Sequence, residues 1–341
     1  MTEINHSFTL DIAIDQSGIS AVQWLSDHCS LSKKVLKEAM AKGAVWLKPT
    51  SGQHRGSGAI SPIRRASKHL AIGEQLFLYY NPTVLAQTPQ TPQLIYDRAE
   101  YSIWYKPSGM FSHGSKWGDH CAITRWVAQH HQPQRDSFLI HRLDRATSGL
   151  IMIAHNKKSA AALCRLFETR AINKRYHAIV AGQYNANITS IHTPIDGKTA
   201  HTLPCVISYD PENHRSLLDI SIETGRKHQI RKHLSSVGFP IVGDRLYNPE
   251  PITDTTPNLQ LCAYHLAFEC PISHQTQSNT IIYTAQRSLA QAYINVFKAN
   301  HIIHYSVLIP RLYPYTNRVI VCLFNNNCCL NSTIIYNRMS Q

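Results

Sequence analysis

Ser137 to Ala154 reads Ser-Phe-Leu-Ile-His-Arg-Leu-Asp-Arg-Ala-Thr-Ser-Gly-Leu-Ile-Met-Ile-Ala. Its last part, Leu150 to Ala154, is continuously apolar, the pattern of a strand buried on both faces. The polar stretch from His141 to Gly149 is therefore pinned just before a core strand, where a loop can be held rigidly. It crowds His141, Arg142, Asp144 and Arg145 together. An Asp with arginines on both sides is favoured in its charged form. That arrangement suits either a structural salt bridge capping a strand or a functional carboxylate.

Two further segments carry chemistry. Ile222 to Tyr247 contains Arg226, Lys227, His228, Arg231 and Lys232 in close succession. Thr224 is placed to cap a helix whose Ile230, Leu234 and Val237 face the core at i, i+4 and i+7, with Gly238 at its end. The cations can form a solvated face, but their concentration beside glycine turns favours a phosphate or carboxylate partner. Asn173 to Gly182 alternates as a strand, with Tyr176, Ala178 and Val180 on one face and His177, Ile179 and Ala181 on the other. A tyrosine so placed is edge or core filler, or it stacks on a base or handles a proton.

The whole chain has 341 residues, 34 Lys and Arg against 21 Asp and Glu, and a net charge of +13 with 20 histidines in addition. With 43% hydrophobic and 16% charged residues a packed core is expected, and the basicity points to an anionic partner. No apolar run approaches the ~18 residues of a membrane span, and Met1 to Asp15 lacks the apolar region of a signal peptide. A cytoplasmic protein is expected. The nine cysteines are odd in number and form no C-x-x-C pair, so Cys164, Cys205 and Cys262 read as core filler. No metal site is expected either, because the histidines lack compact ligand spacing apart from His113/His120 and His130/His131.

The chain divides at Gln87-Thr-Pro-Gln-Thr-Pro-Gln93, which can sustain neither a helix nor a sheet ladder. Residues 1–86 read as two helices followed by strands. Ser32 caps a helix running to Lys42, and Val45 to Leu47 and Gln75 to Tyr79 are strands. Lys33, Lys34 and Lys37 lie outside, and Arg64, Arg65, Lys68 and His69 form a second basic cluster. Ser51 to Gly58 reads as a mobile, Gly-rich loop. Residues 94–284 hold the motifs. Residues 285–341 contain Arg287, Lys298, Arg311, Arg318 and Arg338 but no Asp or Glu. That tail is either a basic extension that touches RNA or, the preferred reading, a divergent end without function.

Residues 1–86 resemble the alpha-L RNA-binding module in their order of helix, helix, Gly-Ala-Val-Trp strand and Leu70-Ala71-Ile72-Gly73-Glu74. They depart from it at Lys48-Pro49 and in the insertion that follows. Ile95 to Phe268 closely resemble the RluA-like branch of the RluA/RsuA-type RNA pseudouridine synthases. The resemblance rests on His141-Arg142-Leu143-Asp144 with Thr147-Ser148-Gly149, on Lys174-Arg175-Tyr176, and on Gly225-Arg226-Lys227-His228-Gln229-Ile230-Arg231. Lys106-Pro107-Ser108-Gly109-Met110 and Gly243-Asp244-Arg245-Leu246-Tyr247 add to it.

That resemblance implies an α+β fold, a bent mixed and largely antiparallel sheet with flanking helices, preceded by the small alpha-L-type module. It implies isomerisation of uridine to its carbon-linked form in structured RNA, rRNA ahead of tRNA, by a monomer without metal, nucleotide or redox cofactor. Asp144 would be the catalytic carboxylate, as nucleophile or as base toward the ribose. Arg231 would pair with it, and Tyr176 would stack on the uracil and help move its proton. Arg142 would fill the space left by the flipped base, with His141, Ile230, Lys174 and Arg226 around the substrate. Lys33, Lys34, Lys37, Arg64 and Arg65 would contact RNA. The competing reading is an RNA-binding or RNA-folding factor whose catalysis is dispensable or lost.

Overall fold

A computed structural model of the chain describes residues 6–50, 59–272 and 280–284. The loop at Ser51 to Gly58 and the tail 285–341 lie outside the described residues.

The first unit contains β1 (Phe8–Ala13), α1 (Ala21–His28), α2 (Lys33–Ala41), β2 (Val45–Lys48), β3 (Ser61–Pro62), β4 (Gln75–Tyr80) and α3 (Pro82–Leu85). Its four strands form an antiparallel sheet in the order β1-β4-β2-β3. Ser32 caps α2 as expected, accepting the Val35 N–H, and Leu36, Ala39 and Met40 are buried on the inner face. They join Trp24 and Leu25 of α1 and Leu76 and Leu78 of β4 in a hydrophobic cluster of their own. Strand β1 was missed in the sequence, although Phe8, Leu10 and Ile12 alternate there and pack on that cluster.

Gln93 opens strand β5, so the irregular connection is one residue shorter than the composition break suggests. The connection is tethered, since the Gln87 carbonyl accepts His120 Nε2 at 2.9 Å. Segment 114–121 lies against the first unit. The Asp119 N–H donates to the Lys42 carbonyl at 2.9 Å, Trp46 Nε1 donates to the Lys116 carbonyl at 3.2 Å, and Arg64 pairs with Asp119.

The second unit runs β5 (Gln93–Asp97), β6 (Tyr101–Lys106), α4 (Ile123–His130), β7 (Phe138–Leu139), β8 (Ser148–Ala154), α5 (Lys157–Glu168) and β9 (Ile172–Ala181). It continues with β10 (Thr202–Asp210), β11 (Arg215–Ile222), α6 (Gln229–Ser236), β12 (Leu261–Glu269) and β13 (Thr280–Thr284). The sheet order is β10-β11-β9-β12-β8-β6-β5, with β13 on β12 and β7 on β8. The sheet is mixed and largely antiparallel, as expected. The exception is β8 against β12, where Ser148 and Gly149 run parallel to Cys262 and Ala263.

Every residue of β8 is buried, and the packing explains the unbroken apolar run. Leu150, Met152 and Ala154 face Leu163 of α5, while Ile151 and Ile153 face Ile123 and Val127 of α4. Helices cover both faces, so alternation with polar residues has no place here. Gly149 has φ +120°, and a Cβ there would lie 2.2 Å from the Ala263 carbonyl oxygen. Only glycine lets the two strands approach this closely.

Helix α6 begins later than Thr224 predicts. His228 occupies the cap position in the left-handed region, with φ 56°. Thr224 instead accepts the His201 N–H at 2.9 Å and donates to Gln229 Oε1 at 2.7 Å. Gln229 Oε1 also accepts the Arg226 N–H at 3.0 Å, which ties the turn before the helix. Ile230 and Leu234 face the core as expected. Among the described residues no helix is long and apolar enough to cross a membrane.

Candidate active site

Asp144 sits on the loop between β7 and β8, and that loop is fixed on both sides of it. Leu143 donates its N–H to Ser112 Oγ at 2.9 Å, and the Ser112 hydroxyl donates back to the Leu143 carbonyl at 2.6 Å. On the other side the Gly109 N–H donates to the Arg145 carbonyl at 2.8 Å, and Ser108 Oγ to the Ala146 carbonyl at 2.7 Å. Beneath lies Lys106, fully buried. Its Nζ donates to the carbonyls of Met110, Pro107 and Arg145 at 2.8, 3.0 and 3.3 Å. Burial pushes this ammonium down to about 7, although the charge of Asp144 works the other way.

The basic side chains that face Asp144 are not its neighbours in sequence. Arg145 turns away, with its Nε on the Gly109 carbonyl at 3.1 Å and its guanidinium 4.7 Å from the Phe111 ring centre. Arg142 is exposed. Instead, Arg231 Nη1 lies 3.9 Å from Asp144 Oδ2, and His228 Nε2 lies 3.7 Å from Asp144 Oδ1. Both come from the α6 region.

The expected Arg231–Asp144 pairing is thus the looser of two. Arg231 gives Nε to Asp244 Oδ2 at 2.8 Å and Nη2 to Asp244 Oδ1 at 2.6 Å, a two-pronged pair. Asp244 Oδ1 also accepts the N–H groups of Leu246 and Tyr247 at 3.0 and 3.1 Å. Burial alone would raise the pKa of Asp244, but the Arg231 hydrogen bonds and these backbone donors hold it below the usual carboxylate range. Burial likewise works against the charge on Arg231, yet Asp244 and then Asp144 keep its pKa above the ordinary value.

Tyr176 pairs with Ile220 of β11 and Ala263 of β12, and its ring packs between two hydrophobic clusters that include Leu143 and Ile230. Burial, then the negative charge of Asp144, pushes the phenol well above its usual pKa. Tyr176 is therefore favoured in its protonated form.

The family profile described as RNA pseudouridylate synthase matches residues 100–236. An uncharacterized RNA pseudouridine synthase of Aquifex aeolicus is 28% identical over 271 residues, covering 70% of this chain and 82% of its own. The dual-specificity RNA pseudouridine synthase RluA of Vibrio parahaemolyticus is 30% identical over 219 residues, covering 59% of this chain and 85% of its own. The Escherichia coli protein of that name is 31% identical over 223 residues, covering 60% of this chain and 96% of its own. The chain belongs to the RluA-type RNA pseudouridine synthases.

Around the centre of this pseudouridine synthase the other expected residues divide. Ile230 is buried in the core beside Tyr176. Lys174 is half-buried, its Nζ 5.9 Å from the Phe167 ring centre, and burial lowers its pKa. Arg226 is held by the Thr199 carbonyl at 3.0 Å. His141 is scaffold: Nε2 accepts the Met152 N–H at 3.0 Å, the ring stacks on Phe167 at 4.5 Å, and burial pushes the imidazole down to about 3. Lys33, Lys34, Lys37 and Arg65 are exposed. Arg64, also expected at RNA, is engaged within the protein. Its guanidinium is taken by Asp119 and by the Ala41 carbonyl at 2.9 Å, where it joins the two units.

Asp244, Tyr247 and Lys106 carry no role in the expectations from the sequence, whereas His228 belongs to the basic cluster expected to meet a phosphate or carboxylate and faces Asp144. A signal for Asp244 existed, because an arginine on the core side of a helix requires a buried carboxylate partner. One cluster of metal-ligand types was also unforeseen: ligand atoms of Asp97, His131 and His155 lie within 4.8 Å of one another. The donor set does not fit an ion. Arg135 gives Nη2 to both Asp97 oxygens at 2.7 Å and also contacts His131. His155 is already engaged by the Asp136 carbonyl at 2.8 Å and Ser102 Oγ at 2.9 Å.

Proposed function

We propose that the chain isomerises uridine to pseudouridine in structured cytoplasmic RNA, rRNA ahead of tRNA, acting as a monomer with Asp144 as the catalytic carboxylate. The observation that carries this reading is the setting of Asp144. Its side chain is 22% exposed, on a loop clamped on both sides, with the buried Arg231 facing one oxygen and His228 the other. A carboxylate so held keeps its aim at an electron-poor anomeric carbon.

In the reaction, the bond from uracil nitrogen 1 to ribose carbon 1′ breaks, the base turns, and carbon 5 takes over that bond. Carbon 5 loses a proton and nitrogen 1 gains one, so composition is unchanged. Asp144 acts at the ribose, as nucleophile or as base. Tyr176 stacks on the uracil and helps move the proton that leaves carbon 5. Arg231 balances the charge of Asp144. Arg142, exposed at the edge of the loop, fills the stack left by the flipped base, whose unstacking costs a few kcal/mol. Residues 1–86 serve as the docking module, with Lys33, Lys34, Lys37 and Arg65 on phosphates.

Tritium release from RNA labelled at uridine carbon 5 tests this reading. The wild type releases tritium from rRNA and Asp144→Asn does not. A wild type inactive on both rRNA and tRNA refutes the enzyme reading. An Asp144→Asn variant as active as wild type refutes the assignment of the carboxylate.

A further inference from the structure

One titratable group in the site has no part in the mechanism above. His228 is half-buried, stands between Asp144 and Tyr247, and holds a backbone conformation with φ 56° that residues with a Cβ rarely adopt. Its Nδ1 lies 2.9 Å from the Tyr247 hydroxyl, and its Nε2 lies 3.7 Å from Asp144 Oδ1. A carboxylate only accepts, so the productive tautomer carries the proton on Nε2 and receives the Tyr247 O–H at Nδ1. Tyr247 is itself fixed. Its ring lies under the Arg231 guanidinium at 5.1 Å, its N–H donates to Asp244 at 3.1 Å, and its carbonyl accepts Ser235 Oγ at 2.7 Å.

We propose that His228 is a positioning residue for Asp144, held by Tyr247 through Nδ1 and directing Nε2–H at the carboxylate oxygen that Arg231 leaves uncovered. The proposal rests on the reading of Asp144 as the catalytic carboxylate. The strained backbone has a use in this arrangement, because it places the ring between two partners from separate segments. The charged groups around the imidazole are Asp144 from the loop before β8, Arg231 and Lys227 from the α6 region, and Asp244 from the following loop. Burial lowers the pKa of the imidazole first of all; Asp144 raises it, and Arg231 and Lys227 lower it. The ring is therefore neutral above its ordinary value of 6.5. Protonation at lower pH removes the acceptor for Tyr247 and loosens the arrangement.

Two substitutions separate this role from a purely structural one. His228→Asn suits the left-handed backbone and can still reach Tyr247, but it ends short of Asp144. His228→Gln fits that backbone less well but places an amide N–H where Nε2–H stands. Single-turnover and steady-state tritium release are measured with the full chain on rRNA from about pH 5 to pH 9. We expect His228→Asn to lose on the order of 10²-fold in kcat with KM unchanged, the scale of a misplaced reacting group. His228→Gln retains most of the rate, and both variants lose the acid limb set by the imidazole. A merely structural role gives the opposite order, with Asn equal to or better than Gln and the pH profile unmoved; that result overturns the proposal.

Tyr247→Phe keeps the ring under Arg231 and removes only the hydroxyl. Its partial loss of kcat should be non-additive with His228→Asn, and strict additivity would also count against the proposal. A wild type without tritium release overturns the pseudouridine reading and this inference with it. An active wild type with the reversed order overturns the positioning role alone.

Discussion

Arg231 turns two nitrogens to Asp244 at 2.8 and 2.6 Å and leaves a third facing Asp144 at 3.9 Å. The tighter pair fixes the guanidinium, and the looser one sets the field at the half-buried carboxylate of Asp144. Asp244→Asn keeps the shape and removes the charge, leaving a buried arginine without its main partner. The expected cost is ~3–5 kcal/mol, read by urea denaturation, together with a fall in tritium release. A variant as stable and as active as wild type would refute the counter-ion role.

The exposed lysines of α2 and the engaged Arg64 should respond differently to salt. The combined Lys33→Ala, Lys34→Ala and Lys37→Ala variant is expected to reduce the slope of log affinity against log salt by about two to three for duplex RNA regions. Arg64→Ala should leave that slope unchanged, since its guanidinium is bound to Asp119 and the Ala41 carbonyl. Filter binding across a potassium chloride series checks both. Equal slopes for wild type and the triple variant would remove α2 from the RNA interface.

Lys106 gives stability a distinctive pH dependence. Folded, burial brings its pKa to about 7; unfolded, it returns to the ordinary 10.5. Between those values the unfolded chain binds more protons, so stability rises with pH in that window and the contribution is flat below it. Thermal midpoints measured from pH 7 to pH 9 should climb in the wild type relative to Lys106→Met. Parallel curves for the two proteins would show that the lysine keeps its charge in the fold.

Gly149→Ala sets a Cβ 2.2 Å from the Ala263 carbonyl oxygen at φ +120°. The expected loss exceeds ~3 kcal/mol, since both strain and a backbone clash are involved. Gly197→Ala is the control. Its φ of +71° is also unfavourable, but nothing lies within 4 Å of the new carbon, and the expected cost is only about 1 kcal/mol. Urea melts that fail to separate the two variants would contradict the close approach of β8 and β12.

Much of the fold and the main constellation could be read from the chain. The apolar run Leu150 to Ala154, the Ser32 cap and the strand at Tyr176 depend on short-range patterns, and each appears where those patterns put it. The segments carrying Asp144, Tyr176 and Arg231 converge as their resemblance to one family implied. Apart from the Arg231–Asp144 pairing that the resemblance implied, the partners could not be read. Arg145 and Arg142 lie beside Asp144 in sequence, yet the loop turns Arg145 onto Gly109, and the guanidinium of Arg231 and the imidazole of His228 from the α6 region face Asp144 instead. Arg64 looks like its basic neighbours until Asp119, far along the chain, is folded against it. Lys106 reads as a surface lysine in any local window, and only the loop returning from Arg145 shows why it is buried. Such pairings are set by tertiary packing, which local spacing does not encode.

Strand β12 lies between β8 and β9 and is the element through which the Asp144 loop and Tyr176 are joined in one sheet. It is also the last strand of that path to leave the ribosome, beginning at Leu261 after all three candidate catalytic residues have been translated. A nascent or truncated chain ending before Leu261 would carry the whole set of reacting groups and lack the strand that aligns them. In this architecture the alignment of the candidate groups thus waits on the completion of the sheet.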